Sequence, residues 1–231
     1  MMEGRKIFDY SFIAVGLLVQ VVTYLITTQL SADYSQVSIL SLISGCLGVC
    51  SVCLASQGNI LTFLFGFGQV ITYTYLCWTQ RFYGEIAINA YYFITMIYGV
   101  SVWKKRLAKE GVTDSTSERL VVPRQLRWQT ILVIVMATLL TSGLTGFGLA
   151  MWTDDTQPYL DAFTTIPALV AQVLMILVYS EHWFIWLAVD ILSVVLWLRA
   201  GDYCMAAQYA FWCANCVYGL HRWRSLGISK E

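Results

Sequence analysis

Long apolar runs joined by short polar connectors make up most of this chain. A membrane-spanning helix needs about 20 predominantly apolar residues, and eight segments of roughly this length meet that requirement. They cover residues 10–30, 36–55, 59–79, 84–103, 128–152, 160–178, 183–199 and 203–222. The pattern therefore predicts an all-α integral membrane protein with about eight transmembrane helices.

Composition agrees with a surface that faces lipid. Hydrophobic residues make up 58% of the 231 residues and charged residues 12%, whereas soluble domains average about 25% charged residues. The mean hydropathy is +0.64. The formal net charge is zero, so nothing in the charge balance indicates a nucleic-acid partner, and the lipid bilayer is the expected environment.

Basic residues cluster on alternate connectors, as the positive-inside rule requires. With the N-terminus in the cytoplasm, Arg81 and Arg199 fall outside, as does the acidic connector that contains Asp154 and Asp155. The other 12 of the 14 basic residues fall inside: Arg5, Lys6, Lys104, Lys105, Arg106, Lys109, Arg119, Arg124, Arg127, Arg222, Arg224 and Lys230. Eight spans with both termini cytoplasmic are therefore predicted.

The cysteines do not indicate a disulfide framework or a metal site. All seven lie in apolar segments, where a cysteine usually acts as a small hydrophobic residue. The two histidines, His182 and His221, lie outside the cysteine clusters. We therefore predict no metal ion and no cofactor. The cysteines are Cys46, Cys50, Cys53, Cys77, Cys204, Cys213 and Cys216.

The chain also resembles itself at a fixed offset, which is a signal of internal duplication. Four positions recur 120 residues later: Tyr83, Tyr98, Gly99 and Trp103 match Tyr203, Tyr218, Gly219 and Trp223. Residues 56–59 align with 180–183 at an offset of 124, so a gap of four residues is expected within the repeat.

Three helices in each repeat leave one helix to link them. Because a single linking helix brings both repeats into the membrane from the same side, the repeats are expected to be parallel. The predicted architecture is 3+1+3 plus one extra N-terminal helix. The expected divisions are 1–33 for the extra helix, 34–103 for the first repeat, 104–127 for a basic cytoplasmic loop, 128–156 for the linking helix, 157–223 for the second repeat and 224–231 for a cytoplasmic tail.

Asp190 is the most conspicuous polar residue within the apolar segments. A charged side chain at membrane depth is costly, so it usually faces a cavity or a partner. Trp183 and Trp186 precede it by seven and four residues and share its helix face. A carboxylate beside indole rings favours a flat, cationic, aromatic ligand. The alternative is that Asp190 pairs within the bundle and that the tryptophans lie at the membrane interface.

Amide and aromatic side chains supply further candidates for a binding site. Gln208, Trp212 and Asn215 follow helical spacing, and Asn89 and Tyr92 do so in the matching helix. Gln69 and Gln172 also lie within apolar segments. Such amides can read the polar edges of an uncharged group. They can equally join helices, at about 0.6 kcal/mol per hydrogen bond.

Two stretches, residues 80–103 and 159–223, resemble the PnuC-type nicotinamide riboside transporters. The sharpest element is the spacing Trp183-x2-Trp186-x3-Asp190. The resemblance implies a 3+1+3 fold similar to the SWEET sugar transporters. It also implies facilitated diffusion across a bacterial inner membrane, with the vitamin trapped inside by phosphorylation. A central substrate site is implied at Asn89, Trp183, Trp186, Asp190, Gln208 and Asn215, with Tyr92, Trp212 and Gln69 as further candidates.

Several functions remain open at this stage. Thiamine, which is also a cationic aromatic molecule, is the second substrate candidate, and riboflavin and nucleosides are carried by relatives of this family. An intramembrane enzyme is disfavoured because the sequence has no HExxH or GxSxG motif and no second carboxylate near Asp190. A membrane sensor or scaffold is the other alternative. We predict a uniporter, and homo-oligomerisation is left open.

Overall fold

The computed structural model describes residues 2–31, 36–80, 83–113, 118–153, 157–200 and 203–228. Across these residues the chain forms eight α-helices and one short antiparallel pair of strands, which confirms the predicted all-α class. The helices are α1 (Met2–Ser31), α2 (Gln36–Gln57), α3 (Thr62–Gln80), α4 (Tyr83–Glu110), α5 (Trp128–Trp152), α6 (Pro158–Ile176), α7 (His182–Ala200) and α8 (Tyr203–Ile228). The strands are β1 (Val112–Thr113) and β2 (Arg119–Leu120).

Five helices in the described part of the chain are long and apolar enough to cross a membrane, namely α1, α2, α4, α5 and α6. Helix α7 contains a shorter apolar stretch, His182–Leu196. Helices α3 and α8 carry more tyrosine, tryptophan and amide side chains. In α5 the buried residues are Ser142 and Gly146, so most of its apolar surface is left to face lipid. The chain is a multi-pass membrane protein.

Two helices extend further than the hydropathy pattern predicts. Helix α4 continues past residue 103 to Glu110 and α8 continues past residue 222 to Ile228. Polar residues can continue a helix beyond the bilayer, and an ion pair of 3.3 Å between Arg106 and Glu110 joins successive turns of α4. The connector expected from residue 104 therefore begins after Glu110. Arg81, Asp154, Asp155 and Lys230, used in the topology prediction, lie outside the described residues.

The first of two compact units comprises residues 1–122 and 225–231. Its helices approach closely at glycines of α2. A Cβ atom added to Gly45 would collide with Oε1 of Gln20 on α1, and one added to Gly48 would lie 3.2 Å from Cδ of Gln69 on α3. The connector docks on the α2–α3 turn, where the Val121 amide donates to the Gly58 carbonyl over 3.1 Å.

The second unit comprises residues 123–224 and contains α5, α6, α7 and most of α8. A connector segment docks on its α6–α7 turn. The Arg124 amide donates to the Val178 carbonyl over 2.7 Å, and the Ser180 amide donates to the Arg124 carbonyl over 3.0 Å. The Leu126 amide donates to Oε1 of Glu181 over 2.9 Å. These contacts fix the turn from which α7 starts.

Equivalent features recur in the two units at a constant offset of 120. Gly58 and Val178 end α2 and α6 with positive φ angles of 76° and 64°, and α3 and α7 begin at Thr62 and His182. The predicted four-residue gap is therefore absent at these helix ends. Before each set of three helices stands an apolar span of 25 residues, Lys6–Leu30 in α1 and Trp128–Trp152 in α5. The helix expected to be extra thus has a counterpart along the chain.

Candidate functional site

An aromatic cluster of His182, Trp183 and Trp223 joins the start of α7 to α8. The His182 ring lies 4.4 Å from Trp183 and 4.6 Å from Trp223, measured between centroids, and the two indoles meet edge to face at 5.8 Å. The Trp183 ring also lies directly on Gly219, where an added Cβ atom would be 2.6 Å from its Cε2 atom. Only glycine leaves room for this contact.

Asp190 lies further along the same α7–α8 contact. Its side chain is 3% exposed, and the thiol of Cys216, which is 4% exposed, donates to Oδ2 over 3.3 Å. Cys216 is the one hydrogen-bond donor to Asp190 in the described part of the chain, and no described basic residue forms an ion pair with it. A carboxylate at membrane depth is costly unless a cation or several donors compensate it. The site is therefore suited to a cationic ligand.

Two tryptophans have buried indole N–H groups that could donate hydrogen bonds to a ligand. The indole nitrogens of Trp183 and Trp212 are buried, and neither N–H donates to an acceptor among the described residues. A buried indole N–H usually has a partner because leaving it unpaired is costly. Trp212 precedes Cys216 by four residues, which is one helical turn, and Trp186 precedes Asp190 by the same spacing. Trp186 is half-buried.

The remaining candidates of the second unit lie on α8. Asn215 is buried, directly before Cys216, and Gln208 is half-buried. The Tyr209 ring meets Trp212 edge to face at 4.9 Å, which limits the orientations open to that indole. The structure thus brings Asp190 into contact with α8 at Cys216, while Trp183 meets the same helix at Gly219.

The first unit contains the other three predicted residues. Asn89 is buried and lines a mostly apolar cavity of about 460 Å³ that is open to the surface. Tyr92 is half-buried, with its ring 5.8 Å from that of Tyr91. Gln69 packs on Gly48 of α2, a contact that can hold two helices together. The cavity is lined by Val70, Ile71, Thr74, Ile86, Asn89, Ala90, Phe93 and Ile94.

Cys216 was not among the residues that the sequence pointed to for a site. A cysteine in an apolar run reads as a small hydrophobic residue, and nothing in its spacing identifies the carboxylate it contacts. Its position one turn after Trp212 was the available signal. Among the described residues, no group of three or more His, Cys, Asp or Glu side chains is placed to hold a metal ion.

A family model described as nicotinamide mononucleotide transporter matches residues 38–225. A relative from Haemophilus influenzae, named nicotinamide riboside transporter PnuC, is 29% identical over 227 residues, covering 97% of this chain and 92% of its own. A Neisseria mucosa protein of the same name is 31% identical over 199 residues, covering 81% and 72%.

A solved structure is similar over nearly the whole chain. It is described as the crystal structure of the vitamin B3 transporter PnuC, and it covers 95% of this chain and 93% of its own. The TM-score is 0.74 at 27% sequence identity. The similarity therefore extends over nearly the whole chain rather than to a local motif.

Proposed function

We propose that this chain, which belongs to the nicotinamide mononucleotide transporter family, carries nicotinamide riboside across the membrane. The observation that carries the proposal is the Asp190 carboxylate, buried without a basic partner among the described residues. The pyridinium ring of nicotinamide riboside supplies a positive charge on a flat aromatic system. Asp190 would neutralise that charge, and the indole of Trp186 would add a cation–π contact.

Nicotinamide mononucleotide differs from nicotinamide riboside by a phosphate group, and the charge of that group distinguishes the two as substrates. The family description names the mononucleotide, whereas the relatives from Haemophilus influenzae and Neisseria mucosa are named for the riboside. A phosphate monoester adds about 1.5 to 2 negative charges at pH 7. Asp190, which has no ion pair with a described residue, would repel that group. The riboside is therefore the better fit to this site.

The same charge argument supports facilitated diffusion with trapping. Phosphorylation of the riboside inside the cell would convert a cation that fits Asp190 into an anion that does not. Uptake could then proceed down the riboside gradient by uniport, and the product would not return through the same site. On this proposal the chain performs no chemistry of its own and is not an enzyme.

The proposal includes the site residues and topology expected from the sequence. The residues proposed to contact the substrate are Trp183, Trp186, Asp190, Gln208, Trp212, Asn215, Gln69, Asn89 and Tyr92. Both termini would lie in the cytoplasm and the chain in a bacterial inner membrane. The divisions at 1–33, 34–103, 104–127, 128–156, 157–223 and 224–231 stay a prediction, except that α4 continues to Glu110 and α8 to Ile228.

Ligand-induced thermal stabilisation of the detergent-purified protein tests the substrate, because a ligand stabilises only the state that binds it. The panel is nicotinamide riboside, nicotinamide mononucleotide, thiamine, riboflavin and a neutral nucleoside. We expect the riboside to raise the unfolding temperature of the wild type and of Asp9→Asn, a control carboxylate on α1, but not of Asp190→Asn.

Other outcomes reassign the substrate. Stabilisation by thiamine alone would move the function to the second candidate, since both molecules carry a cationic ring. Stabilisation by the mononucleotide at least equal to that by the riboside would contradict the charge argument at Asp190. A response of Asp190→Asn equal to that of the wild type would remove Asp190 from the site.

A further inference from the structure

We infer that Cys216 is a positioning residue, whose thiol holds Oδ2 of Asp190 and leaves Oδ1 to the cationic ring of the substrate. The inference rests on the proposed function, because it concerns how Asp190 is held in place to bind the positive charge of nicotinamide riboside. Asp190 and Cys216 belong to different helices, α7 and α8, so the hydrogen bond ties the carboxylate to a fixed point across the site.

The hydrogen bond joins two buried groups. Asp190 is 3% exposed and Cys216 is 4% exposed, with 3.3 Å between Sγ and Oδ2. A thiol is a weak donor. It can therefore orient the carboxylate while leaving most of the negative charge for a ligand, whereas an arginine or lysine at this position would neutralise Asp190.

The contact between α7 and α8 keeps this distance short. Gly219 lies one turn after Cys216, and the Trp183 ring lies against its backbone, 2.6 Å from where a Cβ atom would be. One turn further along α8, Trp223 also meets the Trp183 ring edge to face, so α7 and α8 stay in contact there. A larger side chain at position 219 would push the two helices apart and lengthen the bond between Asp190 and Cys216.

The first unit shows that helix packing does not require this polar pair. At the offset of 120, Asp190 and Cys216 correspond to Val70 and Met96, which are both buried. The edge-to-face contact also recurs there, between Phe63 and Trp103. The matching helices of the first unit thus have buried apolar residues at both positions, so the polar pair in the second unit is explained better by a ligand than by packing.

Initial uptake rates into proteoliposomes test the inference with two substrates of nearly the same outline. Nicotinamide riboside has a cationic ring and its dihydro form a neutral one. The variants are Cys216→Ala, which removes the donor, and Cys216→Ser, which keeps one. Cys213→Ala is the matched control, since Cys213 is half-buried one turn earlier on α8 and donates no hydrogen bond to Asp190 in the described structure.

We expect Cys216→Ala to raise the KM for nicotinamide riboside by about threefold to tenfold, which is the net effect of one ordinary hydrogen bond, because a thiol is a weak donor. The maximal rate and the KM for the dihydro form should change by less than about twofold. Cys216→Ser should restore the KM to near that of the wild type, and Cys213→Ala should leave it unchanged. Thermal unfolding without ligand shows whether each variant is folded.

Three results would overturn the role of Cys216 while the function stands. They are an unchanged KM in Cys216→Ala, an equal rise for both substrates, and a Cys216→Ser variant no better than Cys216→Ala. Absence of nicotinamide riboside uptake by the wild-type protein would instead overturn the proposed function, and the inference with it.

Discussion

The two units place different chemistry on matching helices. In the first unit Phe63 meets Trp103 edge to face at 5.2 Å, and in the second Trp183 meets Trp223 edge to face at 5.8 Å, with an interplanar angle of 85° in both. Each residue of the second pair follows its counterpart by 120 positions. The contact that joins the third helix of each unit to its fourth is therefore the same.

Further along these helices the units diverge. In the first unit the Met96 side chain packs closely on Gly66. A Cβ atom added to Gly66 would lie 2.6 Å from Cε of Met96. At the offset of 120, the corresponding residues of the second unit are Trp186 and Cys216, so the order of small and large residue is reversed. Cys216 also donates a hydrogen bond to Asp190, with 3.3 Å between Sγ and Oδ2. At these matched positions the first unit has buried apolar residues, whereas the second has a hydrogen-bonded polar pair.

The largest expected effect comes from giving the second unit the residue of the first. Asp190→Val introduces the residue found at the matching position, Val70. We expect it to reduce nicotinamide riboside uptake more than about 100-fold, because the carboxylate that would neutralise the pyridinium charge is removed. Thermal stability without ligand should stay equal or rise, since a buried charge is removed. Uptake and unfolding of the same preparation measure both. Retained uptake would show that the two units do not differ in the way proposed.

A smaller effect is expected at the contact between α7 and α8, whose edge-to-face aromatic pair recurs between α3 and α4 of the first unit. Gly219→Ala places a Cβ atom 2.6 Å from the Trp183 ring and should lower the free energy of unfolding by about 1–3 kcal/mol, as overpacking does. Gly143→Ala on α5 is the control, since nothing lies within 4 Å of its added Cβ atom. Denaturant unfolding compares the two. Equal stability of both variants would contradict the close approach of α7 and α8.

The turn that follows α2 gives an effect of about 1–2 kcal/mol. Gly58 has a φ angle of 76°, in the left-handed region where a side chain is disfavoured by roughly that amount. Gly58→Ala should therefore lower the free energy of unfolding. Thermal unfolding in detergent measures the change. An unaltered midpoint would indicate that the turn relaxes to another backbone conformation.

The matching turn after α6 should give the smallest change. Val178 has a φ angle of 64° and is fully buried. Val178→Gly relieves backbone strain of about 1–3 kcal/mol and loses side-chain burial worth about 1.5–3 kcal/mol, so the two nearly cancel. We expect the shift in unfolding midpoint to be smaller than that of Gly58→Ala. A larger loss would show that burial of Val178 dominates.

Hydropathy was sufficient to predict the helices because a segment that crosses the bilayer needs about 20 predominantly apolar residues. It was less informative at the membrane boundary, where α4 continues to Glu110 through charged residues that water solvates. The offset of 124 was wrong because it rested on the residue types at 56–59. The structural equivalence of Gly58 and Val178 depends on a backbone conformation that valine seldom adopts.

Asp190 was identified from sequence because a charge in an apolar segment is conspicuous. Its place in the substrate site stays a prediction, as do those of the other candidates. The contact with Cys216 could not be predicted, because it depends on the register of α7 against α8. That register is set by Gly219, which in the sequence appeared only as a repeated position.

The tight turn between α6 and α7 has a consequence for how the chain enters the bilayer. Five residues separate the helices. Helix α7 contains only a short apolar stretch among its described residues, and Asp190 at its centre adds about 2.5–3.5 kcal/mol to the cost of insertion. Helix α6 is apolar enough to insert alone. We therefore expect the translocon to release α6 and α7 together as a helical hairpin, with α6 offsetting the cost of carrying a carboxylate into the membrane.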